Sequence, residues 1–182
     1  MIRLFIALII PEEVIEKIFN YCADVTKSLS GHKWEPKEKI HLTLKFIGDI
    51  KEELLPEIIE DIKFVENYTS FKCSISKFGF FFKDNQARIL WCNFETGEKI
   101  FELVRELNIR LTKFGIEAEK RKFKGHLTLL RIKNKMDEKF IQRFKEYKFD
   151  PIQFNSNKIV LVKSILKPGG SEYKVLKNYE LN

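Results

Sequence analysis

One tetrapeptide occurs twice in this chain of 182 residues, and its spacing constrains the fold more than any other feature. His-Leu-Thr-Leu stands at residues 41–44 and again at 126–129, an offset of 85 residues. The same shift places the apolar run at 3–6 onto the run at 88–91, and each run begins with arginine. Because apolar runs, amphipathic segments and turn residues agree at this one offset, the sequence predicts an internal duplication.

Each copy contains the same order of predicted elements. After the opening strand, the first copy has an amphipathic helix whose apolar stripe includes Leu29 and which is expected to end at Gly31. Its counterpart is expected to begin with Thr96 as N-cap and to end at Gly115. A His-Leu-Thr-Leu strand, a second amphipathic helix and strands rich in aromatic and β-branched residues follow in both copies.

This order predicts an α+β fold in which each copy has the pattern β-α-β-α-β-β. The two copies occupy about residues 1–85 and 86–182, so we expect a single bilobal domain over 1–182. A copy of this length buries only a modest core alone, which favours two lobes packed about an approximate two-fold axis. Short connections favour mostly antiparallel sheets with helices on the outer side of each lobe and a cleft between the lobes.

The alternation of side chains along a strand places the histidine and the threonine of each motif on the same face. His41 and Thr43 point to one face and the two leucines to the other, and the same holds for His126 and Thr128. A two-fold axis would place the imidazoles across the cleft, where one accepts a proton and the other donates one. The threonine hydroxyls can hydrogen-bond a non-bridging oxygen of the bound group, and such a site suits in-line attack at phosphorus.

Other roles remain open for these residues. A single histidine on a strand is more often a packing or surface residue, and this is our interpretation of His32, which has no counterpart in the other copy. Thr43 and Thr128 also fit ordinary strand positions, since β-branched residues favour strands. No Cys or carboxylate stands at ligand spacing from the histidine pair, so we expect neither a metal site nor a cofactor.

Positive charge is concentrated near the second motif. The chain has a formal net charge of +7, and residues 119–135 contain seven Lys or Arg against one Glu. This concentration indicates an anionic partner, although a solvated loop without a partner is the alternative.

Cysteine usage and hydropathy suggest where such a chain acts. Cys22, Cys73 and Cys92 form neither a C-x-x-C pair nor an even disulfide framework, which favours a reducing, cytoplasmic setting. The apolar run at 2–10 meets Pro11 without a small-residue cleavage site and is expected to be a strand. No apolar run is long enough to span a bilayer, so no membrane partner is expected.

Longer segments around the two motifs complete the pattern. They are Trp34-x-Pro36, residues 40–49, residues 123–131, the opening run 3–11 and the segment 78–91. These segments resemble the 2H phosphoesterase superfamily with its paired HxTx motifs. Within it the chain is similar to the RNA 2′,3′-cyclic phosphodiesterases, also called 2′-5′ RNA ligases.

The resemblance implies metal-independent opening of a terminal 2′,3′-cyclic phosphate of RNA to a 2′-phosphomonoester. By analogy, His126 is the proton acceptor that activates water, and His41 is the proton donor to the leaving 3′ oxygen. Thr43, Thr128 and Arg131 are assigned to substrate binding. The expected partner is an RNA with a 2′,3′-cyclic phosphate end, with tRNA fragments among the candidates, and we expect a monomer. Contacts to RNA phosphates are expected from Lys120, Arg121, Lys122 and Lys124.

The chain departs from the family pattern in two places. Gly125 stands where many members have proline, and Phe82-Lys83 stands where proline is common after the central aromatic run. Both departures concern the shape of loops beside the expected site. Some aromatic residues are candidates for stacking on RNA bases: Phe123, Trp34 and the phenylalanines around Phe80. Core packing is the alternative for each of them.

Two rival functions remain open at this point. The same histidines would serve a ligase that joins a 2′,3′-cyclic phosphate end to a 5′-hydroxyl, because this is the reverse of cleaving a 2′-5′ linkage. A non-catalytic RNA-binding module would instead use the basic stretch alone.

Overall fold

The computed structural model describes residues 1–28 and 31–182. In these two ranges the strands are β1 (Ile2–Ile9), β2 (His41–Ile50), β3 (Phe71–Ile75), β4 (Phe78–Lys83), β5 (Gln86–Asn93), β6 (Glu95–Thr96), β7 (His126–Arg131), β8 (Ile152–Ser156), β9 (Lys158–Ile165) and β10 (Glu172–Glu180). The helices are α1 (Glu12–Thr26), α2 (Leu55–Ile62), α3 (Lys99–Arg110) and α4 (Glu138–Glu146). None of these helices has the length and apolar character needed to cross a membrane.

The strands form three sheets, and every strand pair is antiparallel. The larger sheet has the order β10-β9-β1-β2, and a second sheet has the order β4-β5-β7. The third, β6-β3-β8, pairs β3 of the first copy directly with β8, its counterpart in the second. The predicted α+β fold with antiparallel sheets is therefore confirmed.

The two lobes differ from the two halves of the sequence, because the larger sheet contains β9 and β10 of the second copy and the second sheet contains β4 of the first. β9, from the second copy, lies beside β1, while β4, from the first copy, lies beside β5. β4 and β5 are joined by a turn in which Asp84 and Asn85 both have positive φ, of 51° and 57°. Two such residues form the tight turn that hairpins favour. The boundary between copies thus falls inside a hairpin, which joins the last strand of one copy to the first strand of the next.

The helices bury apolar stripes, as the periodicity predicts, but two of their predicted ends are wrong. α1 ends at Thr26, with Lys27 in the left-handed conformation, before the expected Gly31; Leu29 lies outside the described residues. Thr96 does not cap α3, because it belongs to β6 and its hydroxyl donates to the Lys72 carbonyl. The predicted end at Gly115 is confirmed: a 3₁₀ turn follows α3, and Gly115 ends it with φ of 76°.

Burial along β2 and β7 follows the predicted alternation. Leu42 and Leu44 are buried, as are Leu127 and Leu129, and all four belong to one hydrophobic core that includes the buried faces of the helices. The histidine and threonine of each motif remain partly or fully exposed on the opposite face. The two strands therefore present these side chains to the space between the β10-β9-β1-β2 sheet and the β4-β5-β7 sheet.

Candidate active site

A cavity of about 230 Å³ is lined by both motifs. His41 and Thr43 come from β2, and His126 and Thr128 come from β7. Arg131, at the end of β7, lines the same cavity. The structure thus brings together the five residues that the sequence assigned to catalysis and substrate binding.

Both imidazoles are held in the same way. His41 Nδ1 lies 2.7 Å from the Lys39 carbonyl oxygen, and His126 Nδ1 lies 2.9 Å from that of Lys124. A carbonyl oxygen only accepts hydrogen bonds, so each Nδ1 carries a proton and each neutral ring has its lone pair on Nε2. His41 Nε2 is 3.1 Å from Thr43 Oγ1, which donates to it when the ring is neutral. Both rings can therefore exchange protons at Nε2.

Aromatic rings fix the orientation of His41. Its imidazole stacks on Phe5 with the ring centroids 4.9 Å apart, and Tyr173 contacts it edge-on at 5.7 Å. Burial lowers the pKa of His41 below its ordinary value, although the hydrogen bond to the Lys39 carbonyl acts in the opposite direction. The charge of Arg131 lowers this pKa further, and a proton on His126 would act in the same direction.

His126 packs against a different set of aromatic groups. Phe81 contacts its ring edge-on, with centroids 4.9 Å apart, and Phe81 in turn packs against Trp91 at 5.4 Å. The Trp91 ring lies directly on Gly79, where an added Cβ would come within 2.3 Å of it. A glycine at position 79 thus leaves room for Trp91, which packs against the ring that contacts His126.

The departure at Gly125 has a structural explanation. A Cβ at this position would lie 2.7 Å from the Phe94 carbonyl oxygen, so only glycine permits this approach of the two backbones. The Phe94 amide donates to the Gly125 carbonyl, which ties the start of β7 to the end of β5.

Arg131 lines the cavity and is paired with Glu35, a carboxylate that is not among the predicted site residues. Its Nε lies 2.8 Å from Glu35 Oε1. Glu35 is the middle residue of Trp34-x-Pro36, and its amide donates to the Leu129 carbonyl, so this segment runs along β7. Nothing in the sequence marks that middle position as facing the site.

Further residues of the cavity wall were also missed. Arg3 lines the cavity and forms a two-pronged ion pair with Asp49; Lys39 and Tyr173 line it as well. One signal was present for Lys39, because a lysine stands two residues before the motif histidine in both copies.

The candidate RNA contacts lie elsewhere. Lys120, Arg121, Lys122 and Lys124 are exposed in a segment without regular structure and do not line the cavity. Arg121 is paired with Glu119 at 2.9 Å. The segment is fixed at its start by the buried Lys45, whose ammonium donates to Asn108 and to the Glu117 carbonyl.

The aromatic residues considered for base stacking do not line the cavity either. Phe80 is buried, Trp34 packs against the core, and Phe123 contacts Phe101. The aromatic residues that do line the cavity are Phe5, Phe46 and Tyr173. The described part of the chain contains no group of three or more His, Cys, Asp or Glu side chains placed to hold a metal ion.

A family model and two related proteins match nearly the whole chain. The family model described as LigT like phosphoesterase matches residues 8–91 and 93–173. The chain is 31% identical to the RNA 2′,3′-cyclic phosphodiesterase of Thermotoga maritima, covering 96% of this chain and 92% of the relative. It is 32% identical to the protein of the same name from Methanocaldococcus jannaschii, covering 97% and 99%.

Solved structures show the same fold. TT0787 of Thermus thermophilus superposes with a TM-score of 0.79 and 26% identity, over 98% of this chain and 97% of that one. Escherichia coli LigT, in a crystal structure with 3′-AMP, superposes with a TM-score of 0.77 and 21% identity, over 100% and 98%.

Proposed function

Because the chain belongs to the LigT-like phosphoesterase family, we propose that it is an RNA 2′,3′-cyclic phosphodiesterase. The enzyme hydrolyses a terminal 2′,3′-cyclic phosphate of RNA to a 2′-phosphomonoester. The observation that supports this most directly is the pair of histidines on one cavity, each with Nδ1 bonded to a carbonyl and Nε2 available for proton transfer.

The proposed reaction divides acid and base work between the two rings. Water attacks phosphorus while Nε2 of neutral His126 accepts its proton. The bond between phosphorus and the 3′ oxygen breaks, and Nε2–H of protonated His41 donates to that oxygen. Thr43, Thr128 and Arg131 bind the oxygens of the phosphate. The product keeps phosphate on the 2′ oxygen, and the protons balance because His126 gains the one that His41 loses.

A bound substrate favours the protonated form of His41. Its pKa is lowered mainly by burial, which favours the neutral ring. A phosphodiester carries a negative charge, and this charge beside His41 and Arg131 favours the imidazolium that the donor role requires. Substrate binding and protonation of His41 are therefore expected to support each other.

The partner and setting follow from the same proposal. The substrate is an RNA end, with tRNA fragments among the candidates, bound by a monomeric enzyme. Lys120, Arg121, Lys122 and Lys124 are proposed to contact RNA beyond the reacting end, because they are exposed but lie off the cavity. The three thiols are buried and free, in keeping with a cytoplasmic location.

The activity is tested with a nucleoside 2′,3′-cyclic phosphate in the presence of EDTA. We expect turnover to the 2′-phosphate, identified by chromatography against the 2′- and 3′-phosphate standards. No turnover, a 3′-phosphate product or a strict requirement for added metal would contradict the mechanism.

Histidine variants test the residues. His41→Ala and His126→Ala should each lower kcat by roughly 100-fold or more, because each removes one proton-transfer group. His32→Ala is the matched control: His32 contacts Phe140 and does not line the cavity, so near-normal kcat is expected. A His41 or His126 variant with a near-normal rate would exclude that residue from catalysis.

A further inference from the structure

The charged residues that line the cavity are not equally available to a ligand. Arg3 is paired with Asp49 at 2.6 Å, and Arg131 with Glu35 at 2.8 Å. Lys39 also lines the cavity, but no carboxylate of the described residues lies within ion-pair distance of its ammonium. Lys39 is therefore the cavity-lining cation whose charge is not compensated by a carboxylate in these ranges.

The Lys39 ammonium is held in place by neutral groups. It donates to the Ser171 carbonyl at 2.7 Å and lies 5.8 Å from the centre of the Tyr173 ring. An ammonium has three donors, and these contacts use one of them, which leaves donors for a ligand oxygen. The contact with the ring is favourable for a cation and keeps the half-buried side chain at the cavity wall.

The position of Lys39 relative to the reacting groups is set by its own backbone. Its carbonyl accepts the Nδ1 proton of His41, while its side chain extends toward Ser171 and the loop between β9 and β10. Lys124 has the equivalent backbone role for His126, but its side chain does not line the cavity. The cavity thus carries an additional cation on the His41 side alone.

We propose that Lys39 binds the phosphodiester on the 5′ side of the terminal nucleotide. The inference rests on the proposed function, because the two motifs must already hold the cyclic phosphate. The terminal nucleoside carries the next phosphate on its O5′, and that phosphate is a monoanion within one nucleotide of the reacting group. An RNA of two or more nucleotides is therefore preferred over a mononucleoside 2′,3′-cyclic phosphate, which has no such phosphate.

A purely structural role for Lys39 predicts a different outcome. Lys39 fastens the loop at residues 166–171 through the Ser171 carbonyl, and Lys33 fastens the same loop through the Gly169 carbonyl at 2.9 Å. Lys33 does not line the cavity. Lys33→Met is therefore the matched control, since it removes a tether of the same chemistry from the same loop without removing a cation from the cavity.

The test compares kcat/KM for two substrates that end in the same nucleotide. One is the mononucleoside 2′,3′-cyclic phosphate with a free 5′-hydroxyl. The other is a dinucleotide that ends in the same 2′,3′-cyclic phosphate and contains one internal phosphodiester. The unmodified enzyme should prefer the dinucleotide. Lys39→Met should lower kcat/KM for the dinucleotide roughly tenfold more than for the mononucleotide, the effect of one charge-assisted hydrogen bond. Lys39→Arg should restore much of the preference, and Lys33→Met should leave it unchanged.

Three outcomes would contradict these expectations. Equal kcat/KM values of the unmodified enzyme for the two substrates would overturn the proposal without any variant. Equal losses on both substrates in Lys39→Met, or the same loss of preference in Lys33→Met, would show that Lys39 acts on the cyclic phosphate or only on the loop. Failure of the unmodified enzyme on both substrates would instead contradict the proposed function.

Discussion

His41 is enclosed by Phe5 and Tyr173, and burial lowers its pKa before substrate binds. The lowered pKa shifts the ring toward its neutral form, whereas the donor role needs the protonated form. The pH profiles of kcat/KM and of kcat separate these requirements, because kcat/KM reports groups of the free enzyme and kcat reports those of the complex.

We expect the alkaline limb of kcat/KM to lie at lower pH than the alkaline limb of kcat. The sign follows from charge: the free enzyme loses the His41 proton below the ordinary pKa of histidine, and the bound phosphate anion raises that pKa again. Both profiles should be measured between about pH 5 and pH 9. Alkaline limbs that coincide in the two profiles, or a flat profile, would argue against His41 as the proton donor.

Single residues also show where sequence reasoning reaches its limit. His41, Thr43, His126 and Thr128 were identified because a repeated motif and the alternation of a strand place them on one face. Glu35 was not, because its position beside Arg131 depends on how the segment before β2 runs along β7. Long-range pairing of this kind leaves no local pattern in the sequence.

Among the elements, β4 and β5 show how a small residue supports the site. The Trp91 ring of β5 lies on Gly79 of β4 and packs against Phe81, whose ring contacts His126. Any side chain at position 79 must displace Trp91, and the displacement passes to the ring beside His126.

Gly79→Ala should therefore lower the free energy of unfolding by about 1–3 kcal/mol, the usual range for overpacking. It should also lower kcat, because the packing of His126 is disturbed. Chemical denaturation and steady-state kinetics measure the two effects. Gly97→Ala is the control, since a Cβ there meets no atom within 4 Å. An unchanged stability in Gly79→Ala would show that Trp91 moves aside freely.

Most helices and strands could be predicted from the sequence, but the residues at which they begin and end were harder to predict. Apolar periodicity identified the amphipathic helices and the motif strands, because burial of one face imposes that period. The end of α1 was missed because Lys27, an ordinary residue, adopts the left-handed conformation that usually selects glycine. The sequence did not predict which strands are neighbours in a sheet. β9 pairs with β1, for example, although most of the chain separates them in sequence.

For the whole molecule, the exchange of strands makes each lobe dependent on both copies. β4 is hydrogen-bonded to β5 of the second copy, and β1 lies between β2 and the second copy's β9. Neither half of the sequence contains the strands of a complete sheet.

Fragments 1–85 and 86–182 should each be unfolded when produced alone, although each contains one complete motif. The intact chain should unfold in one cooperative transition, because the lobes share strands. Circular dichroism and amide proton dispersion in NMR spectra report both outcomes. A folded fragment, or two separate transitions in the intact chain, would mean that the exchanged strands contribute little to stability.

The path of the chain also limits how the cavity changes shape. The chain leaves the larger sheet after β2, contributes to the second sheet through β4, β5 and β7, and returns to the larger sheet with β9. Two connections therefore join the sheets, and the segment before β2, which runs along β7, links them again. Rotation about a hinge is freest where a single connection joins two parts. We therefore expect adjustment to RNA ends of different size to come from exposed side chains and from the loop between β9 and β10, with the separation of the two imidazoles nearly constant.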